Sequence, residues 1–544
     1  MSAAPVRFDR AGPIWSAVPE QTVIEFVWRA CERAPESAAM IFEDGLVVTR
    51  GQLLDRSERF AGYLRPRMHP GDRVALMVRN RSEFMIAWLA AVANRATVVS
   101  VNPATMSHDL RHLLADSGAV LLVAAPEYQT VIDDVRAECS ALREIVYVGE
   151  PEPDGLVRYG ADLPPLRFSE AGSRREDIAN IYYTSGTTGP PKGCMVDHEW
   201  WLRTVDVVLR LNPWTLDDRV LCCLQFYYSD PGNLLLTALK CGGAMVVTRK
   251  FSVSRFWDVV RDNRVTVILG IGAIPVLLLK ASPSHRDRAH HVKRAIQLAI
   301  PPNLHQALVS RWGFPWLEGY GITEGNVLAA MPMDHATEMI GSGSMGVPVP
   351  EVSLKIVDGH GHEVPVAVTG EVLAKGPGMM RGYLNQPQAT RETLVDGWLR
   401  TGDLARVDER GFLYFAGRTK DIIRRSGENV AATEVENVLK LHPKIMDAAV
   451  IAVPDEIRGE EIKAYVILVK GESPDTVPPE EISCFCSAKL AAYKVPRYLE
   501  YRTEDFPRTA SMRVQKELLR SERADLVAGV WDRTATRRSA GRSA

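Results

Sequence analysis

Glycines, hydroxyl residues and one lysine are concentrated in a short stretch, residues 181–193. An apolar strand expected over residues 178–183 leads into it. Glycines allow successive backbone N–H groups to turn towards an anion, hydroxyls donate to phosphate oxygens, and a lysine adds positive charge. The stretch therefore predicts a phosphate-binding loop formed by Thr184, Ser185, Gly186, Thr187, Thr188, Gly189 and Lys192.

Two other phosphate motifs are excluded by their surroundings. The loop is not a Walker motif, because no Gly-Lys-Ser/Thr follows its second glycine. A G-x-G-x-x-G occurs at residues 341–346, but Val-Pro-Val-Pro follows it at 347–350 and cannot open a helix. A dinucleotide fingerprint requires a helix at that place. The sequence therefore gives no support to a dehydrogenase.

At residues 181–193 the sequence resembles the adenylate-forming superfamily of acyl-CoA ligases, luciferases and peptide-synthetase adenylation domains. The resemblance covers nearly the whole chain. Residues 442–445 and 453–463 make it most similar to carnitine/crotonobetaine-type and fatty-acid-type CoA ligases. It implies that a carboxylate attacks the α-phosphorus of ATP to give acyl-AMP and pyrophosphate, and that the CoA thiol then displaces AMP. ATP or acyl-AMP, coenzyme A and Mg²⁺ are the implied cofactors.

The second signature of the family matches residues 319–324. The resemblance implies that Tyr320, between Gly319 and Gly321, stacks on adenine. It also implies that Thr323 binds the α-phosphate and that Glu324 holds Mg²⁺ between phosphates.

The third signature matches residues 398–403, and the family hinge matches residues 417–421. A carboxylate with two acceptor oxygens suits a ribose diol, and the resemblance assigns this role to Asp403. It places Arg418 at the ribose or α-phosphate and makes Lys420 the pivot. The loop after the pivot is expected to line the pantetheine tunnel with Ser426, Gly427 and Glu428.

The predicted acyl pocket contains Tyr228, Asp230, Gly270 and Ile300. Tyr228 stands where relatives usually carry a histidine. The small Gly-Ala-Pro turn of relatives is replaced by Leu-Ala-Ile-Pro at residues 298–301. Apolar bulk near the acid predicts a hydrophobic acyl group.

One departure from the family concerns the catalytic lysine. Relatives end with Pro-x-Thr-x-Ser-Gly-Lys, whose lysine contacts the substrate carboxylate and the α-phosphate during adenylation. Here the glycine is Met512 and the lysine is Arg513. Arginine keeps the charge on a broader planar group, and methionine removes the permissive glycine. With Lys192 and Glu324 as the other catalytic residues, the sequence predicts impaired adenylation and retained thioester formation.

Other functions stay open at this stage: a complete two-step ligase, an adenylating enzyme that loads a carrier protein, and a nucleotide-binding module without turnover. A ligase restricted to the second step needs a separate adenylating ligase as partner. That arrangement resembles the paired ligases of the platensimycin/platencin diterpenoid pathway, and a terpenoid acid would suit the apolar pocket.

Composition limits the remaining possibilities. The 544 residues carry 65 Lys and Arg against 67 Asp and Glu, so no basic excess indicates a nucleic-acid or anionic-membrane partner. An apolar fraction of 46% is typical of a folded chain, and the length predicts at least two domains. Eight cysteines without a C-x-x-C pair predict reduced, mostly buried thiols. We expect a cytoplasmic enzyme without signal peptide. The oligomeric state stays open, and because dimers are common in relatives a homodimer is one of the alternatives.

The elements that must position these residues follow from hydrophobic patterning. Apolar strand-length runs alternate with helical patterns through residue 270, which predicts an α/β fold with parallel crossover sheets. Short, Gly- and Pro-punctuated strands after residue 343 suggest a small β-barrel or a twisted sheet. We expect a large N-terminal domain (1–417), a hinge (418–421), a small mobile α+β domain (422–532) and a disordered tail (533–544).

Overall fold

The structure is a computed structural model that describes residues 20–149, 155–184, 191–211, 214–272, 274–426, 428–508 and 514–535. Backbone contacts divide the described chain into two units. Unit 1 contains the residues up to 354 together with 373–401, and unit 2 contains 355–372 and the residues from 402 onwards. Among the described helices, none combines the length and the apolar character that crossing a bilayer requires.

The first half of unit 1 alternates strands and helices. Its elements are α1 (Val23–Arg33), β1 (Ala38–Phe42), β2 (Val47–Thr49), α2 (Arg50–Leu64), β3 (Arg73–Met77), α3 (Ser82–Ala93), β4 (Thr97–Ser100), α4 (Ser107–Ser117), β5 (Leu121–Ala124), α5 (Gln129–Arg136), β6 (Glu144–Tyr147), β7 (Ile178–Thr184), β8 (Lys192–Asp197) and α6 (His198–Leu211).

The alternation continues to residue 330 and then gives way to short strands. The elements are β9 (Arg219–Cys222), α7 (Ser229–Cys241), β10 (Ala244–Val247), α8 (Val253–Asp262), β11 (Val267–Ile271), α9 (Ile274–Lys280), β12 (Arg294–Leu298), α10 (Pro302–Trp312), β13 (Trp316–Ile322), β14 (Asn326–Ala330), β15 (Val347–Pro348), β16 (Ser353–Val357), β17 (Gly370–Lys375), β18 (Gly382–Tyr383), α11 (Pro387–Thr393), β19 (Leu394–Val395) and β20 (Trp398–Val407).

Two large sheets organise unit 1, and the predicted parallel crossover architecture is confirmed. The nine-stranded sheet has the order β15-β14-β13-β12-β11-β9-β10-β1-β2, and its six strands from β13 to β1 are parallel. The seven-stranded sheet has the order β18-β8-β7-β4-β3-β5-β6, with β7, β4, β3, β5 and β6 parallel. Strands such as β5 and β10 are buried at every position, as expected when helices cover both faces.

Whereas β15 and β18 join the two large sheets, the other short strands between residues 343 and 418 form a five-stranded sheet. Its order is β16-β17-β20-β19, and β21 (Leu413–Arg418) pairs with β20. The G-x-G-x-x-G at 341–346 leads into strand β15 and not into a helix, as its following prolines predicted.

The rest of unit 2 is the predicted α+β arrangement. Its elements are β22 (Ile422–Arg425), β23 (Glu428–Ala431), α12 (Ala432–Lys440), β24 (Ile445–Asp455), β25 (Gly459–Leu468), α13 (Pro479–Ser487), β26 (Tyr498–Arg502), α14 (Lys516–Ser521) and β27 (Trp531–Asp532). The strands form a six-stranded sheet whose apolar face packs against α12 and α13. Seven of the eight cysteines of the whole chain are buried, as predicted, and Cys484 is exposed.

Candidate active site

The predicted phosphate loop connects the two strands of the β7–β8 hairpin. Thr184 and Lys192 are the last paired residues of the antiparallel strands, so they stand at the two ends of the loop. The five loop residues between them that we predicted as phosphate donors, Ser185–Gly189, lie outside the described residues. The predicted strand before the loop is β7, which ends at Thr184 itself.

The second predicted segment is the hairpin of β13 and β14. Gly319, Tyr320 and Gly321 lie on β13, and a bulge follows the buried Tyr320. A Cβ atom at position 321 would lie 2.6 Å from the carbonyl oxygen of Asn326, so this close turn requires glycine. Thr323 belongs to the connecting turn, and its carbonyl oxygen accepts a 3.0 Å hydrogen bond from the Trp200 indole of α6.

These two segments meet at Glu324. Its Oε1 lies 3.5 Å from the Thr184 hydroxyl and accepts a 2.9 Å hydrogen bond from the hydroxyl of Tyr383. The Lys192 ammonium lies 5.0 Å from the centre of the Tyr383 ring. A hydroxyl, a carboxylate and an ammonium therefore converge on one place between the two large sheets of unit 1.

This donor set fits a phosphate group that carries a hard cation. Mg²⁺ is usually held by one or two protein carboxylates together with substrate phosphates. In the described parts of the chain, no group of three or more His, Cys, Asp or Glu side chains could hold a metal ion alone. Glu324 would supply the carboxylate, and Lys192 and Thr184 would contact phosphate oxygens.

The third predicted segment lies in unit 2. Asp403 on β20 and Arg418 on β21 are directly paired in register, and the Arg418 Nε lies 2.8 Å from Asp403 Oδ1. Asp403 is 2% exposed. The next residue, Thr419, donates from its hydroxyl to the Gly402 carbonyl oxygen at 2.9 Å. Lys420 follows in a 3₁₀ turn with its side chain exposed.

The predicted tunnel loop is the turn between β22 and β23. Ser426 has a φ of +53°, and its N–H donates to the Arg458 carbonyl oxygen at 2.9 Å. Glu428 is the exposed first residue of β23. Gly427 lies outside the described residues, as do Met512 and Arg513.

The predicted acyl-pocket residues lie at three places around the nine-stranded sheet: the start of α7, strand β11, and the connection from β12 to α10. Ile300 is buried in an apolar cluster against which Tyr228 also packs. Asp230 lies in the first turn of α7, where burial raises the pKa of its carboxyl group. A Cβ atom at Gly270 would lie 2.3 Å from Gln297 Oε1, so β11 can carry only glycine there without rearrangement.

Two residues near the site were missed in the sequence. Tyr383 belongs to none of the predicted phosphate segments, and only the pairing of β18 with β8 brings it to Lys192 and Glu324. Glu318 is a charged residue inside an otherwise apolar strand, and that contrast could have drawn attention to it. Its carboxylate accepts a 3.2 Å hydrogen bond from the Ile300 N–H, and burial raises its pKa to about 8.

Sequence comparison identifies two parts of the chain. Residues 27–384 match the family described as AMP-binding enzyme, and residues 434–513 match the AMP-binding enzyme C-terminal domain. The crotonobetaine/carnitine–CoA ligase of Escherichia coli O45:K1 is 32% identical over 463 residues, which cover 83% of this chain and 88% of that protein. A long-chain-fatty-acid–CoA ligase of Yersinia pestis is 30% identical over 543 residues, with coverage of 92% and 94%.

Solved structures show the same architecture. ATP-bound MatB from Rhodopseudomonas palustris superimposes with a TM-score of 0.82 at 28% identity, covering 93% of this chain and 99% of that one. The anthranilate CoA ligase AuaEII, solved with anthranoyl-AMP, gives a TM-score of 0.82 at 25% identity, with coverage of 92% and 97%.

The two large crossover sheets, the smaller C-terminal unit and the Thr184–Lys192–Glu324 cluster define an adenylate-forming enzyme. The chain belongs to the AMP-binding enzyme family, and within it to the AMP-forming acyl-CoA ligases.

Proposed function

We propose that this ligase mainly performs the second half of the family reaction. In that step the CoA thiol attacks the acyl carbonyl of an acyl-AMP, the bond to the phosphate oxygen breaks, and AMP leaves. The first step, attack of the acid on ATP, is impaired because Met512 and Arg513 replace the glycine and the lysine. ATP or acyl-AMP, coenzyme A and Mg²⁺ are its cofactors.

The observation that carries this proposal is the position of Lys516, the next lysine along the chain. Lys516 begins α14, and its ammonium lies 2.7 Å from Glu436 Oε1 and 3.7 Å from Asp421 Oδ2. Its side chain is 10% exposed. An ammonium held between two carboxylates inside unit 2 is a poor substitute for the missing catalytic lysine, because leaving would remove the close cation from the largely buried Glu436 carboxylate.

The residues on either side of Met512 and Arg513 are also held together. Arg508 and Val514 form an antiparallel bridge, and the Gln515 N–H donates to the Pro507 carbonyl oxygen at 2.7 Å. Only five residues connect the bridged ends. A guanidinium is planar and broader than an ammonium, and a misplacement of about 1 Å can cost on the order of 100-fold in rate.

A complete two-step ligase is the second candidate. The Glu324–Thr184 contact and the nearby Lys192 favour it, because a carboxylate that holds Mg²⁺ is needed for a triphosphate and not for an acyl-AMP. Loading of a carrier protein instead of CoA is a variant of this candidate. We rank both below the split reaction because neither supplies a replacement for the lysine.

The acid is proposed to be hydrophobic and bulky, such as a terpenoid acid. Ile300 in the apolar cluster, against which Tyr228 also packs, supports this class. A separate adenylating ligase would then supply the acyl-AMP. We further propose a cytoplasmic location. We also propose a homodimer, and sedimentation analysis would test that oligomeric state.

Two half-reaction assays test the proposal. Exchange of labelled pyrophosphate into ATP, with a panel of hydrophobic acids, measures adenylation. Synthetic acyl-AMP plus CoA, followed by mass spectrometry of the thioester, measures the second step. We expect thioester formation from acyl-AMP and exchange at least about 100-fold slower. Exchange as fast as thioester formation would establish the complete ligase, and absence of thioester would refute the proposal.

A further inference from the structure

Tyr383 joins the two large sheets of unit 1 at the site. It lies on β18, the edge strand beside β8, where it pairs with Cys194. The next N–H, of Leu384, donates to the Gly193 carbonyl oxygen at 2.8 Å. Three residues earlier, the Met380 N–H donates to the Glu324 carbonyl oxygen at 2.8 Å. One short segment is thereby tied to the start of β8 and to the turn that carries Glu324.

The Tyr383 side chain repeats this link between the two predicted phosphate segments. Its hydroxyl donates to Glu324 Oε1 at 2.9 Å, and its ring centre lies 5.0 Å from the Lys192 ammonium. The tyrosine is 9% exposed. A carboxylate oxygen can only accept, so the phenol hydroxyl is the donor in this contact.

We propose that Tyr383 is a positioning residue of the nucleotide site, acting through Glu324 and Lys192. Its hydroxyl holds one carboxylate oxygen of Glu324, which orients the group and leaves the other oxygen for a cation. The electron-rich ring face attracts the Lys192 ammonium and restricts its position. This inference rests on the proposed binding of a magnesium nucleotide, and it adds a residue that links both phosphate-binding side chains.

The two contacts can be separated by substitution. Tyr383→Phe removes the hydroxyl, with its hydrogen bonds to Glu324 and to the Thr393 side chain, and keeps the ring that faces Lys192. Tyr383→Leu removes both contacts. A hydroxyl-to-carboxylate hydrogen bond inside a protein changes an equilibrium by roughly five-fold to ten-fold, and a partly desolvated cation–π contact by about three-fold to five-fold.

Calorimetric binding of α,β-methylene-ATP over a range of Mg²⁺ concentrations provides the readout. This analogue cannot transfer its AMP group to an acid, so the result does not depend on the rate of the first step. We expect Tyr383→Phe to raise the Mg²⁺ concentration for half-maximal binding by about five-fold and to keep the Mg²⁺-free affinity. Tyr383→Leu should also weaken the Mg²⁺-free affinity about three-fold.

Tyr63→Phe is the matched control. Tyr63 is a buried tyrosine on α2 whose hydroxyl donates to the Glu144 carboxylate at the beginning of β6. The control should leave both binding parameters unchanged. In a Glu324→Gln background, Tyr383→Phe should cause no further shift, a coupling that a general loss of folding would not produce. Thermal unfolding without ligand verifies that each variant is folded.

The outcomes distinguish this inference from the function on which it rests. The unmodified enzyme could bind the nucleotide in a magnesium-dependent way while Tyr383→Phe leaves the Mg²⁺ concentration for half-maximal binding unchanged. That result would overturn the positioning role alone. An equal shift in the Glu324→Gln background would also overturn it. If the unmodified enzyme bound no nucleotide at any Mg²⁺ concentration, both the nucleotide site and the role of Tyr383 would fall.

Discussion

Arg418 and Asp403 lie opposite each other on β21 and β20, with 2.8 Å between Nε and Oδ1. The carboxylate is almost completely buried, whereas the guanidinium is one-third exposed. The pairing with Arg418 holds the buried Asp403 carboxylate in a fixed direction. That arrangement suits the ribose contact expected of Asp403. It also explains why the third signature and the start of the hinge segment occur on one hairpin.

Removing the guanidinium should destabilise the protein. We expect Arg418→Ala to lower the free energy of unfolding by about 2 kcal/mol, less than a fully buried pair would cost, because Arg418 is partly solvated. Urea titration measures the change. Arg59→Ala is the control, since its 2.9 Å pair with Asp55 is exposed on both sides and should cost about 0.5 kcal/mol or less. Equal losses in both variants would contradict the prediction.

Ala299 adopts a strained backbone between β12 and α10. Its φ is +66°, a region in which a Cβ atom is unfavourable. Ala299→Gly should therefore raise the free energy of unfolding by about 1 kcal/mol in urea titration. Ala307→Gly in the exposed middle of α10 should do the opposite and lose about 1 kcal/mol. Destabilisation by both glycines would show that position 299 is not strained.

Glu318 should make stability depend on pH. Burial raises its folded-state pKa from 4.5 to about 8, so between these values the folded protein binds a proton that the unfolded chain releases. Stability is therefore lost as the pH rises from 4.5 through about 8. Glu318→Gln cannot titrate, and it should gain roughly 2–4 kcal/mol relative to the unmodified enzyme between pH 5 and pH 8.5.

Urea titrations at the two pH values measure that gain. Glu456→Gln, on the exposed turn between β24 and β25, controls for loss of one carboxylate charge. A constant difference between Glu318→Gln and the unmodified enzyme across this range would refute the assignment of the raised pKa to Glu318.

Restoring the family residues should restore adenylation. We expect Met512→Gly combined with Arg513→Lys to increase pyrophosphate exchange by about 100-fold, because the ammonium can then reach the α-phosphate. Thioester formation from acyl-AMP should stay within about two-fold, since this loop belongs to the first step. Lys516→Arg, which keeps the charge between Glu436 and Asp421, is the control and should not change exchange. Unchanged exchange in the double variant would contradict the role given to Arg513.

The crossover sheets could be predicted because parallel strands buried on both faces are continuous apolar runs. Leu121–Ala124 and Ala244–Val247 are such strands. Strand β24 extends from Ile445 to Asp455, past Pro454, because pairing with β25 continues across the hairpin. A proline is tolerated there since that side of β24 has no described partner strand.

The local sequence indicates the kinds of chemistry at the site, because a phosphate loop, a carboxylate turn and a hinge are each formed by residues that are neighbours in the chain. Which atoms meet was decided only by the tertiary structure. Thr184 and Glu324 are 140 positions apart, and Tyr383 reaches both segments through an edge strand of two residues. Long-range pairing of strands and burial place these side chains together, and neither leaves a periodic signal near Tyr383. The engagement of Lys516 by Glu436 and Asp421 is likewise a product of packing, because an ion pair depends on distance in space and not on separation in sequence.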